Sequence, residues 1–272
     1  MANAAAATGQ KNDSAATRET PSVSGKEDPA KGHADNLMTL GDGLGAGNGS
    51  WTFAGNVHKV FDQHVSKSVP LYTESHEVGV QMSDFFIHEG SVVYDIGCST
   101  GTLLRKLATY HKGKNVRFVG IDPVPDMIAD ARERSRDFDN IEYVVADVVD
   151  FDFLKADLIL SYYTLQFVLP KHRQEVFDKI FSSLNWGGGL ILFEKMRFPD
   201  ARFQDITMQL YQEFKLMNGY SATDIIGKSR SLKGVLEPFS EAANRDLMSR
   251  AGFTDMTSIM RYLSFVGYLA IK

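Results

Sequence analysis

Cysteine is almost missing from this chain, with Cys98 alone among 272 residues. A single thiol excludes an intramolecular disulfide framework and any cysteine-rich zinc site, and it suits a reducing compartment; a cytoplasmic location is expected. Aromatic residues are missing before Trp51, although the whole chain carries 18 Phe, 10 Tyr and 2 Trp. Residues 1–50 are largely Ala, Gly, Ser, Asn and charged side chains. Such a segment buries too little surface to offset the entropy of ordering, so it reads as a disordered N-terminal tail, followed by one domain over 51–272. No apolar run is long enough to span a bilayer, and the N-terminus has no apolar core for a signal peptide. An excess of positive charge is also missing. The net charge of -5 gives no general attraction to phosphate polyanions, so a small-molecule substrate is expected and extensive nucleic-acid binding is not. The histidines lack H-E-x-x-H or other ligand spacing, and no metal site is expected.

From Trp51 onward the hydrophobic period alternates between helical and strand kinds. Two amphipathic helices are predicted around Val57 to Ser68 and Glu74 to Ile87, separated by Pro70. Five strands follow, at Ser91 to Ile96, Val116 to Ile121, Ile141 to Val145, Asp157 to Ser161 and Gly189 to Phe193, separated mostly by helical segments. That alternation implies an α/β fold, a parallel sheet with crossover helices on both faces. Helical stretches at Arg202 to Met217, Asp224 to Leu232 and Glu241 to Arg250 then lead to two closing strands, Met256 to Arg261 and Ser264 to Ile271.

The first strand runs into Asp95-Ile-Gly97-Cys-Ser-Thr-Gly101, where glycines permit a sharp turn and a close approach of ligand to backbone. A dinucleotide fingerprint requires G-x-G-x-x-G, but Ser99 occupies the middle glycine position and no third glycine follows, which weakens a pyrophosphate reading. Asp122 ends the second strand and Asp147 follows the third. Alone, each could be a loop carboxylate or helix cap. Together with Asp95 they place acids at the ends of successive strands, where they could bind the amine, ribose and adenine of one nucleoside.

With this motif the chain resembles the class I S-adenosylmethionine-dependent methyltransferases. The resemblance implies a Rossmann-like, seven-stranded, mostly parallel sheet with an N-terminal helical lid, and S-adenosyl-L-methionine as cofactor. Within that class, Trp51-Thr-Phe53, Ser68-Val-Pro-Leu-Tyr72, Tyr94-Asp-Ile-Gly-Cys-Ser99, Tyr163-Thr-Leu-Gln-Phe167, Asn185-Trp-Gly-Gly188, Glu194-Lys195 and Phe214 to Ser221 are similar to the carboxy-S-adenosylmethionine synthase family. Carried over residue by residue, the resemblance implies cofactor contacts at Tyr72, Asp95, Gly97, Cys98, Ser99, Gly101, Asp122, Pro123, Asp147, Val148 and Tyr162, and a homodimer. It also exposes two departures. Leu216 stands where the family has an arginine that pairs with the carboxylate of the carboxylated cofactor, and Tyr162 stands where it has asparagine. A buried carboxylate without its cation is costly, so a cation such as Lys215 or Arg230 would have to substitute.

Candidate catalytic residues are Tyr162, Tyr163, Glu194 and Tyr220, with Lys195 and Tyr211 close by in the order of elements. Each aromatic among them has core packing as its alternative, and Glu194 with Lys195 has a surface pair. Cys98 reads as a packing residue and Trp51 with Phe53 as an anchor for the tail junction. Three functions are compatible with this sequence. The first is methyl transfer to a small metabolite; the second is synthesis of the carboxylated cofactor from prephenate for tRNA wobble-uridine modification; the third is binding of S-adenosylmethionine without catalysis.

Overall fold

The computed structural model describes residues 47–53 and 57–272, so the expected tail lies outside the described residues apart from 47–50. Those four lead into the domain, where the Gly49 amide donates to the Arg230 carbonyl and that of Trp51 to Ser231. Two helices come first, α1 (Val57–Ser68) and α2 (Tyr72–Ser83), joined by a corner in which Leu71 takes a left-handed φ of 54°. The sheet order is β3-β2-β1-β4-β5-β7-β6. Its strands are β1 (Val92–Ile96), β2 (Arg117–Asp122), β3 (Ile141–Val145), β4 (Ala156–Tyr162), β5 (Leu184–Lys195), β6 (Asp255–Tyr262) and β7 (Phe265–Ile271). The first five pair in parallel, and β7 runs antiparallel between β5 and β6. Crossovers are made by α3 (Thr102–Tyr110), α4 (Pro125–Arg134) and α5 (Pro170–Ser183); α6 (Ala201–Met217), α7 (Ala222–Ser231) and α8 (Glu241–Ala251) fill the long connection after β5.

Central strands buried on both faces produce two apolar cores. Odd residues of β1 and β5 and even residues of β4, such as Val93, Ile191 and Leu160, pack with Leu104 and Leu107 of α3 and Tyr211 of α6. Their neighbours Tyr94, Leu192 and Ile159 pack on the other face with Val176 and Phe177 of α5 and Met248 of α8. This two-residue alternation fixes which strand-end side chains can share a site.

Element boundaries differ from the sequence expectations for local reasons. The second helix was expected to reach Ile87 but ends at Ser83, because Phe86 and Ile87 turn back on the Ser83 carbonyl to enter the core. The fifth helix begins at Pro170, with proline in the first turn where its missing N–H costs nothing. Asn185 to Gly188 lies within β5, across an irregularity in the pairing with β4. Among the described residues no helix is long and apolar enough to cross a membrane.

Candidate active site

At the carboxyl ends of β1, β2, β4 and β5 lies a cavity of about 760 Å³, within the roughly 300–1,000 Å³ usual for small-molecule sites. Its floor follows the sheet alternation. Asp95, Asp122, Tyr162 and Lys195 line it and share the face that carries Val93, Phe118, Leu160 and Phe193.

The β1 loop is shaped by backbone conformations that favour glycine. Gly97 and Gly101 have φ of 73° and 74°, and Ser99 between them is also left-handed at 50°. A Cβ at Gly97 would fall 2.1 Å from the Thr164 hydroxyl, and one at Gly101 would fall 2.1 Å from that of Tyr143. The Gly97 and Cys98 amides donate to the Ile121 carbonyl at 2.7 and 3.1 Å, tying the loop to the end of β2.

Asp122 is held through both of its carboxylate oxygens. One oxygen accepts the Ser99 amide at 3.0 Å and the other the Val124 amide at 2.9 Å. Burial raises its pKa while these two amides oppose the rise. Asp95 is 3% exposed, and burial, followed by the nearby Asp122 charge, raises its carboxyl to about 7. The two acids thus form a negative end of the cavity, over β1 and β2.

The lid is tied to this end by its own carboxylate. Asp62 of α1 accepts the Thr100 hydroxyl at 2.9 Å and pairs with Arg134 of α4 at 2.7 Å. From α2, Tyr72 lines the cavity with its ring 4.4 Å from that of His76, which burial, with Lys106, lowers to about 3 and keeps neutral. His76 meets Tyr162 edge-on at 5.1 Å, and Tyr162 stacks on Phe193 at 4.5 Å. The Tyr162 hydroxyl donates to the Ser75 carbonyl at 3.0 Å, an approach that Gly79 of the same helix permits, since a Cβ there would lie 2.1 Å from the phenol oxygen. Tyr163 is left-handed at φ 58°, a sparsely populated conformation held by the hydrogen bond its amide donates to the Phe193 carbonyl. Burial raises both phenols, so neither releases its proton near neutral pH.

The opposite end, over β5, is basic. Lys195 of β5 and Lys215 of α6 both line the cavity and both place Nζ 4.4 Å from the centre of the Tyr211 ring. Burial, followed by the charges of Lys215 and Lys233, lowers Lys195 to about 7, and burial lowers Lys215 to about 8.

Of the residues singled out from the sequence, Tyr72, Asp95, Gly97, Cys98, Ser99, Asp122, Pro123, Tyr162 and Tyr163 line the cavity together. Gly101 shapes the loop from behind. Asp147 and Val148 do not line the cavity: Asp147 is exposed and caps its own turn by accepting the Val149 amide at 2.9 Å, while Val148 is buried in the other core. Glu194 lies on the opposite sheet face from Lys195. Burial raises it to about 8, against the pull of Arg173 and of the Leu165 and Gln166 amides, and its Oε1 has no hydrogen-bond partner among the described residues. Tyr220 stands outside the lining and meets His64 Nδ1 at 3.0 Å.

Leu216 does not face the cavity either. It is 48% exposed, and the side chain that α6 offers to the site at this turn is Lys215, so the pocket has not turned apolar here. Trp51 and Phe53 do more than anchor the chain. Trp51 stacks on His64 at 6.0 Å under Lys228, Phe53 meets Phe167 at 5.0 Å, and both line the cavity. Asp62 carries no motif that singles it out, because its role depends on where α1 crosses the β1 loop.

Residues 93–188 match a family model described as a methyltransferase domain. The chain is 38% identical over 223 residues to carboxy-S-adenosyl-L-methionine synthase of Staphylococcus epidermidis, covering 82% of this chain and 97% of the relative. It is 32% identical to the synthase of Campylobacter lari, covering 81% and 94%. Among solved structures, human N-acetylserotonin methyltransferase in complex with its S-adenosylmethionine is similar in fold, with a TM-score of 0.55 at 18% identity over 79% of this chain and 55% of that one. The cyclopropane synthase MmaA2 of Mycobacterium tuberculosis is similar with a TM-score of 0.51 at 16% identity, over 69% and 63%. The glycine loop, the acids at the ends of β1 and β2 and this near full-length similarity agree: the chain belongs to the carboxy-S-adenosyl-L-methionine synthase family and is an S-adenosylmethionine-dependent methyltransferase.

Proposed function

We propose that this enzyme transfers the methyl group of S-adenosylmethionine to a small-molecule acceptor bound in the same cavity. The observation that carries the reading is the Asp122 carboxylate, held by two backbone amides at the lip of the glycine loop. So oriented, it presents its remaining lone pairs to two ribose hydroxyls, and charge-assisted bonds of that kind are among the stronger hydrogen bonds. Asp95, buried beside it, matches the ammonium of the cofactor's amino-acid part. Tyr72, Cys98, Ser99 and Pro123 close around the nucleoside, and Asp147 with Val148 flanks it only if their turn moves toward the cavity.

When bound, the cofactor supplies a methyl group already activated by its sulfonium charge, so the protein's task is alignment and exclusion of water. Tyr162 and Tyr163 perform it from the floor between the acidic and basic ends. Their phenols stay protonated and hold the lid backbone and the cavity wall in place. Glu194 and Tyr220 act as positioning residues. Glu194 supports the turn at 165–167 from beneath, and Tyr220 holds His64 under Trp51.

The carboxylating activity for which the relatives are named is the second reading, favoured by family membership and by Lys215 beside the exchanged position Leu216. Mass spectrometry of the ligand released from purified protein separates the two. S-adenosylmethionine or its demethylated product supports methyl transfer; the carboxylated cofactor, or its formation from prephenate in vitro, supports synthesis and overturns the first reading.

A homodimer accords with the outer face of α6, where Phe203, Ile206, Leu210 and Met217 form an exposed apolar stripe at helical spacing. The single buried Cys98 accords with a reducing cytoplasm. The net charge of -5 accords with a partner other than extended nucleic acid.

A further inference from the structure

Helix α1 bridges the two ends of the cavity, and unlike forces hold its two edges. Phe61, Asp62, His64, Val65 and Ser68 turn toward the cavity and line it. Along the edge toward α6 the contacts are largely aromatic. Trp51 stacks on His64, the Tyr220 hydroxyl meets the same imidazole at 3.0 Å, and the Tyr211 hydroxyl donates to the Ser68 carbonyl at 2.8 Å. Along the edge toward α3 and α4 the contacts are polar and converge on one carboxylate. Asp62 Oδ1 accepts the Thr100 hydroxyl at 2.9 Å and that of Thr102 at 3.4 Å, while Oδ2 pairs with Arg134 at 2.7 Å.

These partners are themselves held. Thr100 is buried in the glycine loop, and Arg105 of α3 donates to its carbonyl at 2.6 Å and to the Thr102 hydroxyl at 3.0 Å. Arg134 is oriented by Asp130, one turn back on α4, at 2.7 Å. Thr102 opens α3, so the Asp62 charge also lies at the positive end of that helix. The tie reaches the cofactor end within one residue, because Thr100 follows Ser99, whose amide donates to Asp122. Tyr72 lies by the same carboxylate: burial, followed by the charges of Asp62 and Asp95, raises its phenol and keeps the proton on it.

We propose that Asp62 is a positioning residue that latches α1 over the bound cofactor, through Thr100 to the glycine loop and through Arg134 to α4, so that the cofactor leaves only when this latch opens. The proposal rests on the cofactor's lying over Asp95 and Asp122 and is indifferent to the group transferred. The polar edge is the one that parts, because water satisfies its separated charges and hydroxyls, whereas parting the aromatic edge would expose apolar rings. Asp62 is half-buried and Arg134 exposed, so dissolved salt reaches the pair and loosens it. The latch therefore sets how long the cofactor stays rather than how fast it enters. A merely structural contact would leave release insensitive to salt.

The test is surface plasmon resonance of S-adenosylhomocysteine on the full chain, which reads association and dissociation separately. Arg134→Met should speed dissociation by about 2- to 5-fold, the range of a partly exposed ion pair. Asp62→Asn, which keeps an acceptor for the Thr100 hydroxyl, should speed it by about 3- to 10-fold and Asp62→Ala by about 10- to 100-fold, with association equal to the parent's or faster. Dissociation from the parent should quicken between about 0.05 and 0.5 M sodium chloride, and that dependence should shrink in Arg134→Met. Because the two residues share one latch, Asp62→Asn combined with Arg134→Met should release the ligand no faster than Asp62→Asn alone. Melting temperatures near the parent's show that the variants fold; should Asp62→Ala melt far lower, the exposed Arg134→Met decides. Unchanged dissociation in Asp62→Asn and Arg134→Met, fully additive effects of the two, or a salt dependence that Arg134→Met leaves intact overturns the proposal. Should the parent bind S-adenosylhomocysteine through Asp122 while ignoring the latch changes, the latch falls and the cofactor site stands; no binding to the parent at all overturns both.

Discussion

Asp122→Ala is the substitution whose consequence can be worked out most fully from the structure. In the parent, each carboxylate oxygen already accepts one backbone amide, from Ser99 and from Val124, and the carboxylate is 7% exposed. If it also accepts two ribose hydroxyls, truncation removes a pair of charge-assisted bonds worth about 1.5–3 kcal/mol each, which add incompletely. The expected loss is about 2–4 kcal/mol, or roughly 30- to 1,000-fold in affinity for S-adenosylhomocysteine measured by calorimetry. The same truncation strands two backbone amides and loosens the glycine loop, so weaker binding alone is ambiguous. A thermodynamic cycle resolves it. The 2′-deoxy form of the ligand should bind more weakly than the ribose form in the parent and equally well in Asp122→Ala. Unchanged affinity in the variant, or the same penalty for the deoxy ligand in both proteins, would refute the ribose assignment.

Other expectations are simpler. Burial and Asp122 raise Asp95 from 3.8 to about 7, so the folded state keeps a proton that the unfolded chain loses. Stability therefore falls as pH rises from about 4 to 7 and levels above, by up to about 4 kcal/mol for this group; Asp95→Asn should raise the melting temperature at pH 8 and weaken cofactor binding, and a parent-like melting profile would contradict it. Removing residues 1–48 should leave the melting temperature and cofactor affinity unchanged, as a segment that adds nothing to the core requires; a large fall in either would show that it packs. Ile206→Asp on the exposed stripe of α6 should convert a dimer to a monomer in light scattering while leaving the monomer's fold intact, and a parent protein that is already monomeric would remove the dimer.

How much of this was legible beforehand varies with how local the cause is. The glycine loop and the strand-ending Asp95 and Asp122 were visible because turn, strand and acid are neighbours in sequence, and parallel α/β sheets bring strand ends together. Asp147 was read by the same rule, but β3 stops at Val145 and the following turn faces solvent. Asp62 was not legible. Its role depends on α1 crossing the β1 loop to reach Thr100 and Arg134, a packing angle that no hydrophobic period encodes.

Glu194 and Lys195 show where a rule was available and still fell short. Adjacent residues of a strand point to opposite faces, so only one of this pair could reach the cavity, and the sequence alone could not say which. The register decides: Lys195 opposes Phe265 across β5 and β7 and shares its face with Phe193 and Tyr211, whereas Glu194 follows Leu192 toward α5 and α8. A one-residue slip would exchange them, placing a carboxylate beside Lys215 where the lysine now stands. The polarity of the site, acids over β1 and β2 and cations over β5, is thus a consequence of strand register. Lys215 completes it because α6 turns position 215 inward and Leu216, about 100° further round the helix, outward. Position 216 therefore belongs to an exposed surface, and the cation that α6 presents to the cavity is the residue before it.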